Sequence, residues 1–385
     1  MSTLVNDKRK RSLTSPRTIL SLGTVVMAAL LAANIFFALA PHSKQRTAQA
    51  TSSFSFSAVG DYGQSTNTTS NLSYIAHAGI SFNLGLGDFN YSSKVTTAAW
   101  ASYAKSYLPA NFPFEIVSGD HDRSQINALA ADLPNHMSNM SGTYAKEYFF
   151  DYPATSPLAR FIMISPVSLP GSYRKGGADY NWVSQQINGA RAANIPWVVV
   201  VMAQGCIYIN STSNSKACAT PDLLNLLVSD KVDLILQAHQ HNYEAGKQLA
   251  LNSKTCVSIS TTTYNANCVA NAGSNMNKGA GTTFVTTGTG GQSLVDIDTS
   301  DPKINYFRKW MGSNLNPTYG VSRFTVSATK LSMQFVPVTG SFSDSLSISG
   351  TGSSGPNPRR SPTRAVSSLN MLAWLQPLAR PKHIG

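Results

Sequence analysis

Short apolar runs recur along the middle of the chain. Phe54–Val59, Phe82–Leu86, Phe114–Val117, Phe161–Ile164, Trp197–Met202 and Val232–Leu236 are rich in β-branched and aromatic residues and suit buried strands. Between several of them lie stretches with helical spacing, namely Thr96–Tyr107, Tyr180–Asn194 and Pro221–Ser229. Strands alternating with helices predict an α/β domain. After Thr282 the pattern changes. Thr283–Thr287, Val321–Val326 and Leu331–Val336 read as strands with little helix between them, as a sheet layer closing one side of a sandwich would.

The two ends differ from this middle. Lys8-Arg9-Lys10-Arg11 and Arg17 precede an almost uncharged run from Ile19 to Ala40, the order of an export signal. Ala48-Gln49-Ala50 offers a small-x-small cleavage site, yet the run is 22 residues, long enough to span a bilayer. A cleaved signal and a retained membrane anchor over residues 19–40 therefore both fit, and both put the folded part outside the cytoplasm, secreted or anchored. From about Gly350 onward the chain is rich in Ser, Gly, Pro and Arg and reads as a disordered basic tail, with one short apolar piece at Met371–Leu378. The expected organisation is a signal or anchor with linker over 1–50, a folded domain over 51–348, and the tail over 349–385.

Locating the charge changes what it implies. The net +12 resembles a nucleic-acid signature, but residues 1–50 hold seven Lys/Arg against one acid, and 351–385 hold five against none. The 300 residues between are near neutral, with 18 Lys/Arg and 17 Asp/Glu, and show no clustered basic surface. Nucleic acid is excluded as a partner on that ground.

Four cysteines suit an exported chain. Cys206 and Cys218 lie 12 apart, as do Cys256 and Cys268, in Asn/Ser/Thr-rich stretches. Three connectivities are open; two local bridges close the smallest loops at the least entropic cost. No pair has the CxxC spacing of a metal site.

The chemistry sits where apolar runs end. Val59 leads into Gly60-Asp61-Tyr62-Gly63, Leu86 into Gly87-Asp88-Phe89-Asn90-Tyr91, Val117-Ser118 into Gly119-Asp120-His121-Asp122, and Leu236 into Gln237-Ala238-His239-Gln240-His241. Any one of these alone reads as a turn, with the Asp capping the next helix. Several in order along one α/β pattern are different, because ligands gather at the carboxyl ends of such strands. Converging carboxylates repel one another, and divalent cations remove the repulsion. Mixed oxygen and imidazole donors suit Fe, Mn or Zn better than Ca. Two such cations can share a carboxylate and generate a hydroxide at neutral pH. His121, steadied by Asp122, is placed to protonate a leaving alkoxide.

These residues resemble the purple acid phosphatase branch of the calcineurin-like metallophosphoesterases, whose ordered motifs are GDxG, GDxxY, GNH(D/E), VxxH and GHxH. The first two match fully, and Tyr91 is the informative residue because the tyrosine ligand marks that branch. Tyr243-Glu244, the turn Gly288-Thr289-Gly290-Gly291, and Val338 to Ser345 add support over about residues 53–348. The resemblance implies a β-sandwich flanked by helices and hydrolysis of small phosphate monoesters. It also implies an iron site of Asp61, Asp88, Tyr91 and His241. A second metal (Fe, Mn, Zn or Mg) would be held by bridging Asp88 with Asp120, Gln204 and His239, and His121 would be the proton donor. Three positions depart from the pattern: Asp120 stands for Asn, Gln204 for the His of VxxH, and Ala238 for Gly. The first two open an alternative, a catalytically impaired protein that binds metal or phosphate. Gly-x-Ser-x-Gly elbows and Gly-x-x-x-x-Gly-Lys loops are absent, so serine hydrolases and nucleoside-triphosphatases have no anchor. The stretches Tyr144–Tyr152, Asn210–Ala219 and Asn265–Lys278 are the expected loops over the mouth.

Overall fold

The computed structural model describes residues 53–166, 172–209 and 220–350. The expected signal or anchor, the linker, Asn210–Ala219 and the basic tail beyond Gly350 lie outside them, while Ser349, expected to open the tail, ends the last strand. Strand and helix alternate through the first half: β1 (Phe54–Val59), α1 (Thr66–His77), β2 (Asn83–Gly85), α2 (Thr97–Lys105), β3 (Phe114–Ile116), α3 (Ile126–Asp132), β4 (Ser141–Thr143), β5 (Glu147–Tyr152), β6 (Ala159–Ile164), α4 (Ala178–Ala192), β7 (Trp197–Gln204), α5 (Pro221–Ser229) and β8 (Leu234–Ala238). The second half is almost all strand: β9 (Tyr243–Gly246), β10 (Gln248–Leu249), β11 (Val269–Asn271), β12 (Asn275–Asn277), β13 (Thr283–Thr287), β14 (Phe307–Met311), β15 (Tyr319–Val326), β16 (Lys330–Thr339) and β17 (Asp344–Ser349). Among the described residues no helix is long and apolar enough to cross a membrane.

Two large sheets pack face to face. One has the order β12-β17-β16-β15-β1-β2-β3, the other β14-β9-β13-β8-β7-β6-β5-β4. Side-chain alternation explains the layering. Along β7, Trp197, Val199, Val201 and Ala203 enter the core between the sheets, while Val198, Val200 and Met202 meet the outer core with residues of α4 and α5. A strand apolar on both faces belongs in the middle of a covered sheet. The first sheet is covered by α1, α2 and α3 through Leu72, Ile75, Trp100, Ile126 and Leu129. The fold is thus an α/β β-sandwich flanked by helices, the architecture that the resemblance implies.

Three local expectations change. Thr283–Thr287 does not join β15 and β16 in one layer. As β13 it lies between β8 and β9 in the second sheet, and all five of its residues are buried, as a central strand requires. Glu147–Tyr152 is strand β5 rather than part of a mouth loop: Tyr148 and Phe150 enter the central core, and Phe149 packs on the opposite face. Helix α1 was not signalled by its Thr/Asn/Ser-rich sequence. It is fixed by a capping box between Ser65 and Thr68 and by burial of Leu72 and Ile75. Cys256 and Cys268 form the expected local disulfide. Cys206 is also disulfide-bonded, and its expected partner Cys218 lies outside the described residues.

Phe56 anchors the central core, fully buried, with Phe82 and Phe324 stacked on it at 5.3 and 4.7 Å between ring centroids. Phe56→Ala should cost about 3–5 kcal/mol. Chemical denaturation should show a lower midpoint with an unchanged slope, and an unmoved midpoint would contradict this packing.

Candidate metal centre

The parallel strands β1, β2 and β3 end level with one another, with Val59 opposite Gly85 and Gly85 opposite Ile116. In the second sheet β7 and β8 run parallel to a bulge after Val201, beyond which Gln204 stands opposite Ala238. The motif glycines let these ends touch. A Cβ on Gly60 would lie 2.6 Å from the Ala238 Cβ, and one on Gly87 would lie 2.6 Å from both the Ala203 Cβ and the Gly119 nitrogen. No side chain fits between backbones that close.

The residues that follow Gly60, Gly87 and Ala238 take an unusual conformation. Asp61, Asp88 and His239 have φ of 61°, 53° and 69°, in the left-handed region that non-glycine residues rarely enter. Such strain costs on the order of 1–3 kcal/mol each and persists where the surroundings enforce it. Here the loops are laced together: Asp61 N donates to Gly87 O (3.1 Å), Tyr62 N to Asp88 O (2.9 Å) and Gly63 N to Phe89 O (3.1 Å). The Gly288–Gly291 turn locks the same loop, with Gly290 N donating to Gly60 O (2.9 Å) and Gln292 N to Asp61 O (3.0 Å).

The first cluster is Asp61, Tyr91 and His241. The Tyr91 hydroxyl lies 2.9 Å from Asp61 Oδ1 and 3.0 Å from His241 Nε2, and that Nε2 lies 3.6 Å from Asp61 Oδ1. His241 Nδ1 donates to the Ser293 carbonyl (2.9 Å), which leaves Nε2 as a lone-pair donor facing the cluster. Asp61 is fully buried, and its Oδ2 has no hydrogen-bond partner among the described residues. Burial and the charge of Asp88 push Asp61 well above the ordinary carboxyl range. Burial, Asp61 and Asp88 do the same to the Tyr91 phenol.

Asp88, Asp120 and His239 form the second cluster, with one ligand atom of each within 4.8 Å of the others. His239 Nδ1 lies 3.1 Å from Asp120 Oδ1 and 3.4 Å from Asp88 Oδ2. Burial disfavours a charged His239 ring, yet its contacts with Asp120 and Asp88 outweigh this and lift it to about 10. The contact with His239 holds Asp120 well below the usual range. Three carboxylates, a phenol, two imidazoles and an orphaned buried oxygen are a donor set suited to cations.

His121 lies at the exposed rim, its ring 4.3 Å from that of Tyr91 and its backbone N–H donating to Asp88 Oδ1 (3.0 Å). Asp122 does something other than expected. Its buried carboxylate accepts from the backbone N–H groups of Asp88 (2.6 Å), Phe89 (3.1 Å) and Gly119 (3.0 Å). Among the described hydrogen bonds none joins it to the His121 ring, so Asp122 clamps the Asp88 turn. Sequence reading missed this clamp and the Ser293 carbonyl. The local signal for the clamp is an acid three residues after Gly119, the spacing of a side chain that turns back on its own loop.

A family model described as iron/zinc purple acid phosphatase-like protein C matches residues 281–345, from just before β13 to the start of β17. Purple acid phosphatase 23 of Arabidopsis thaliana is 22% identical over 225 residues, 48% of this chain and 46% of the relative. By these matches the chain is similar to the purple acid phosphatases. Solved structures share this fold. A purple acid phosphatase from yellow lupin (Lupinus luteus) seeds superposes with a TM-score of 0.57 at 17% identity, covering 78% of this chain and 54% of the lupin chain. GAP50, the anchor in the inner membrane complex of Plasmodium, superposes at 0.51 and 19% identity, covering 77% and 90% respectively. The chain spans about half the length of the curated relative and of the lupin protein. The purple acid phosphatase family it resembles implies two metal ions.

Behind the histidine loop lies a buried acid, Glu244. It accepts from Ile209 N and Asn242 Nδ2, both at 3.0 Å. Burial lifts its carboxyl to about 8 against those bonds, whereas an unfolded glutamate titrates near ~4.3. Between the two values the folded chain keeps a proton that the unfolded chain has lost. Stability therefore falls as pH rises through that window, by up to about 1.4 kcal/mol per pH unit. Glu244→Gln keeps the acceptor and removes the titration. In chemical denaturation, its stability relative to wild type should rise steadily from pH 5 to 8; a constant difference would contradict the assignment.

Proposed function

We propose that this chain is an exported phosphoesterase that hydrolyses phosphate monoesters with two metal ions. The observation that carries the reading is the position of Asp88. It lies 3.4 Å from His239 in one cluster, and its charge is felt by Asp61 and Tyr91 in the other. A carboxylate between two donor groups is what a bridging ligand requires. Asp61, Tyr91, His241 and Asp88 would hold the first ion, iron in the pattern the sequence resembles. Asp88, Asp120, His239 and Gln204 would hold the second, from among Fe, Mn, Zn or Mg. Bound cations would neutralise a phosphoryl group and activate water as the nucleophile.

The chain's own residues supply the rest. His121, at the rim over Tyr91, delivers a proton to the departing alkoxide. Asp122 fixes the Asp88 turn so that its carboxylate keeps its aim, and the Ser293 carbonyl fixes the His241 tautomer. The Cys256–Cys268 bridge supports an oxidising, extracytoplasmic location, in keeping with the basic and apolar N-terminal order. A small phosphate ester is the expected substrate.

Purified full-length protein should hydrolyse a chromogenic phosphate monoester. His121→Ala should lower kcat by about 10²–10⁴-fold, and Asp88→Ala should reduce turnover to background. Unchanged turnover in both variants would defeat the proposal.

A further inference from the structure

The donors of the second cluster are unequal in kind to those of the first, and the difference points to a metal preference. One ligand atom each from Asp88, Asp120 and His239 converges within 4.8 Å, so two carboxylates meet a single imidazole. The backbone of Gln204, past the β7 bulge, stands opposite Ala238, one residue before His239, and Gln204 is the further donor of the two-metal reading. A bulge next to a site re-aims the side chain that follows it. Gln204 offers a cation an amide oxygen only, because an amide nitrogen has no free lone pair. The Asp120 side chain is 44% exposed, so this edge of the cluster opens to water.

Resting on the two-metal reading above, we infer that the second cation position is an oxygen-rich site whose working ion is Mn²⁺ or Mg²⁺ rather than Zn²⁺. Zinc favours compact tetrahedral sites with nitrogen or sulfur donors. Manganese and magnesium favour carboxylate, carbonyl and water oxygens in six-coordinate sites, and magnesium keeps several of its waters. Asp120 and Gln204 act together here. The carboxylate strengthens attraction for a hard cation, and the amide withholds the second imidazole that a zinc ion would use.

The test measures metal content independently of turnover. Full-length wild-type, Gln204→His and Asp120→Asn proteins are dialysed against defined free Mn²⁺ and Zn²⁺, and both metals are counted by mass spectrometry. Electron paramagnetic resonance reports bound manganese. Gln204→His should raise the zinc-to-manganese affinity ratio at the second position by about tenfold or more. Asp120→Asn should lower manganese affinity by a similar factor. Occupancy of the first position should be unchanged in both, which shows that the variants have folded. A ratio that is the same in wild type and Gln204→His, or wild-type protein purified without added metal that carries zinc at both positions, overturns this inference while leaving the phosphoesterase reading intact. Failure of wild type to retain any metal overturns both.

Discussion

Mutual repulsion among carboxylates held close together is the constraint around which the rest of this protein is arranged. Asp61 and Asp88 are buried side by side, and each raises the cost of ionising a neighbour. Left to relax, such side chains would turn toward water. They are prevented by backbone strained into the left-handed region and laced by hydrogen bonds between the Asp61 and Asp88 loops. That strain in turn requires a rigid support, which the double-sheet core provides. In the proposed function, bound cations would complete the balance by giving the carboxylates opposite charge to face.

The same logic assigns the surrounding residues. Glycines at 60 and 87 let strand ends from opposite sheets come within contact distance, so ligands far apart in sequence share one rim. Asp122 spends its carboxylate on three backbone donors around Asp88. The Ser293 carbonyl selects the His241 tautomer, and the Gly288–Gly291 turn holds the Asp61 loop from the other side. The proposed function therefore depends on a shell of backbone contacts as much as on the candidate ligands themselves.

Much of this was legible in the amino-acid order. Apolar runs located the strands Phe54–Val59 and Thr283–Thr287 with the bounds observed, because both of their faces are buried and composition alone marks them, and helical spacing located Pro221–Ser229. The Gly-Asp and His-x-His endings named most of the residues that converge. What escaped was what depends on partners distant in sequence. Helix α1 has weak intrinsic propensity and is stabilised by its cap and its packing. The sheet to which β13 belongs is decided by pairing with β8 and β9 rather than by its own five residues. Of the three donors that set the role of Asp122, only Gly119 N is linked to it by spacing; the Asp88 and Phe89 N–H groups come from another loop.

Anomalous diffraction from crystals of the full-length protein grown with manganese tests the central claim most directly. The account predicts two peaks about 3.5–4 Å apart, one against Asp61, Tyr91 and His241, the other against Asp120 and His239, with Asp88 between them. Peaks elsewhere on the molecule, or none at this rim, would contradict it.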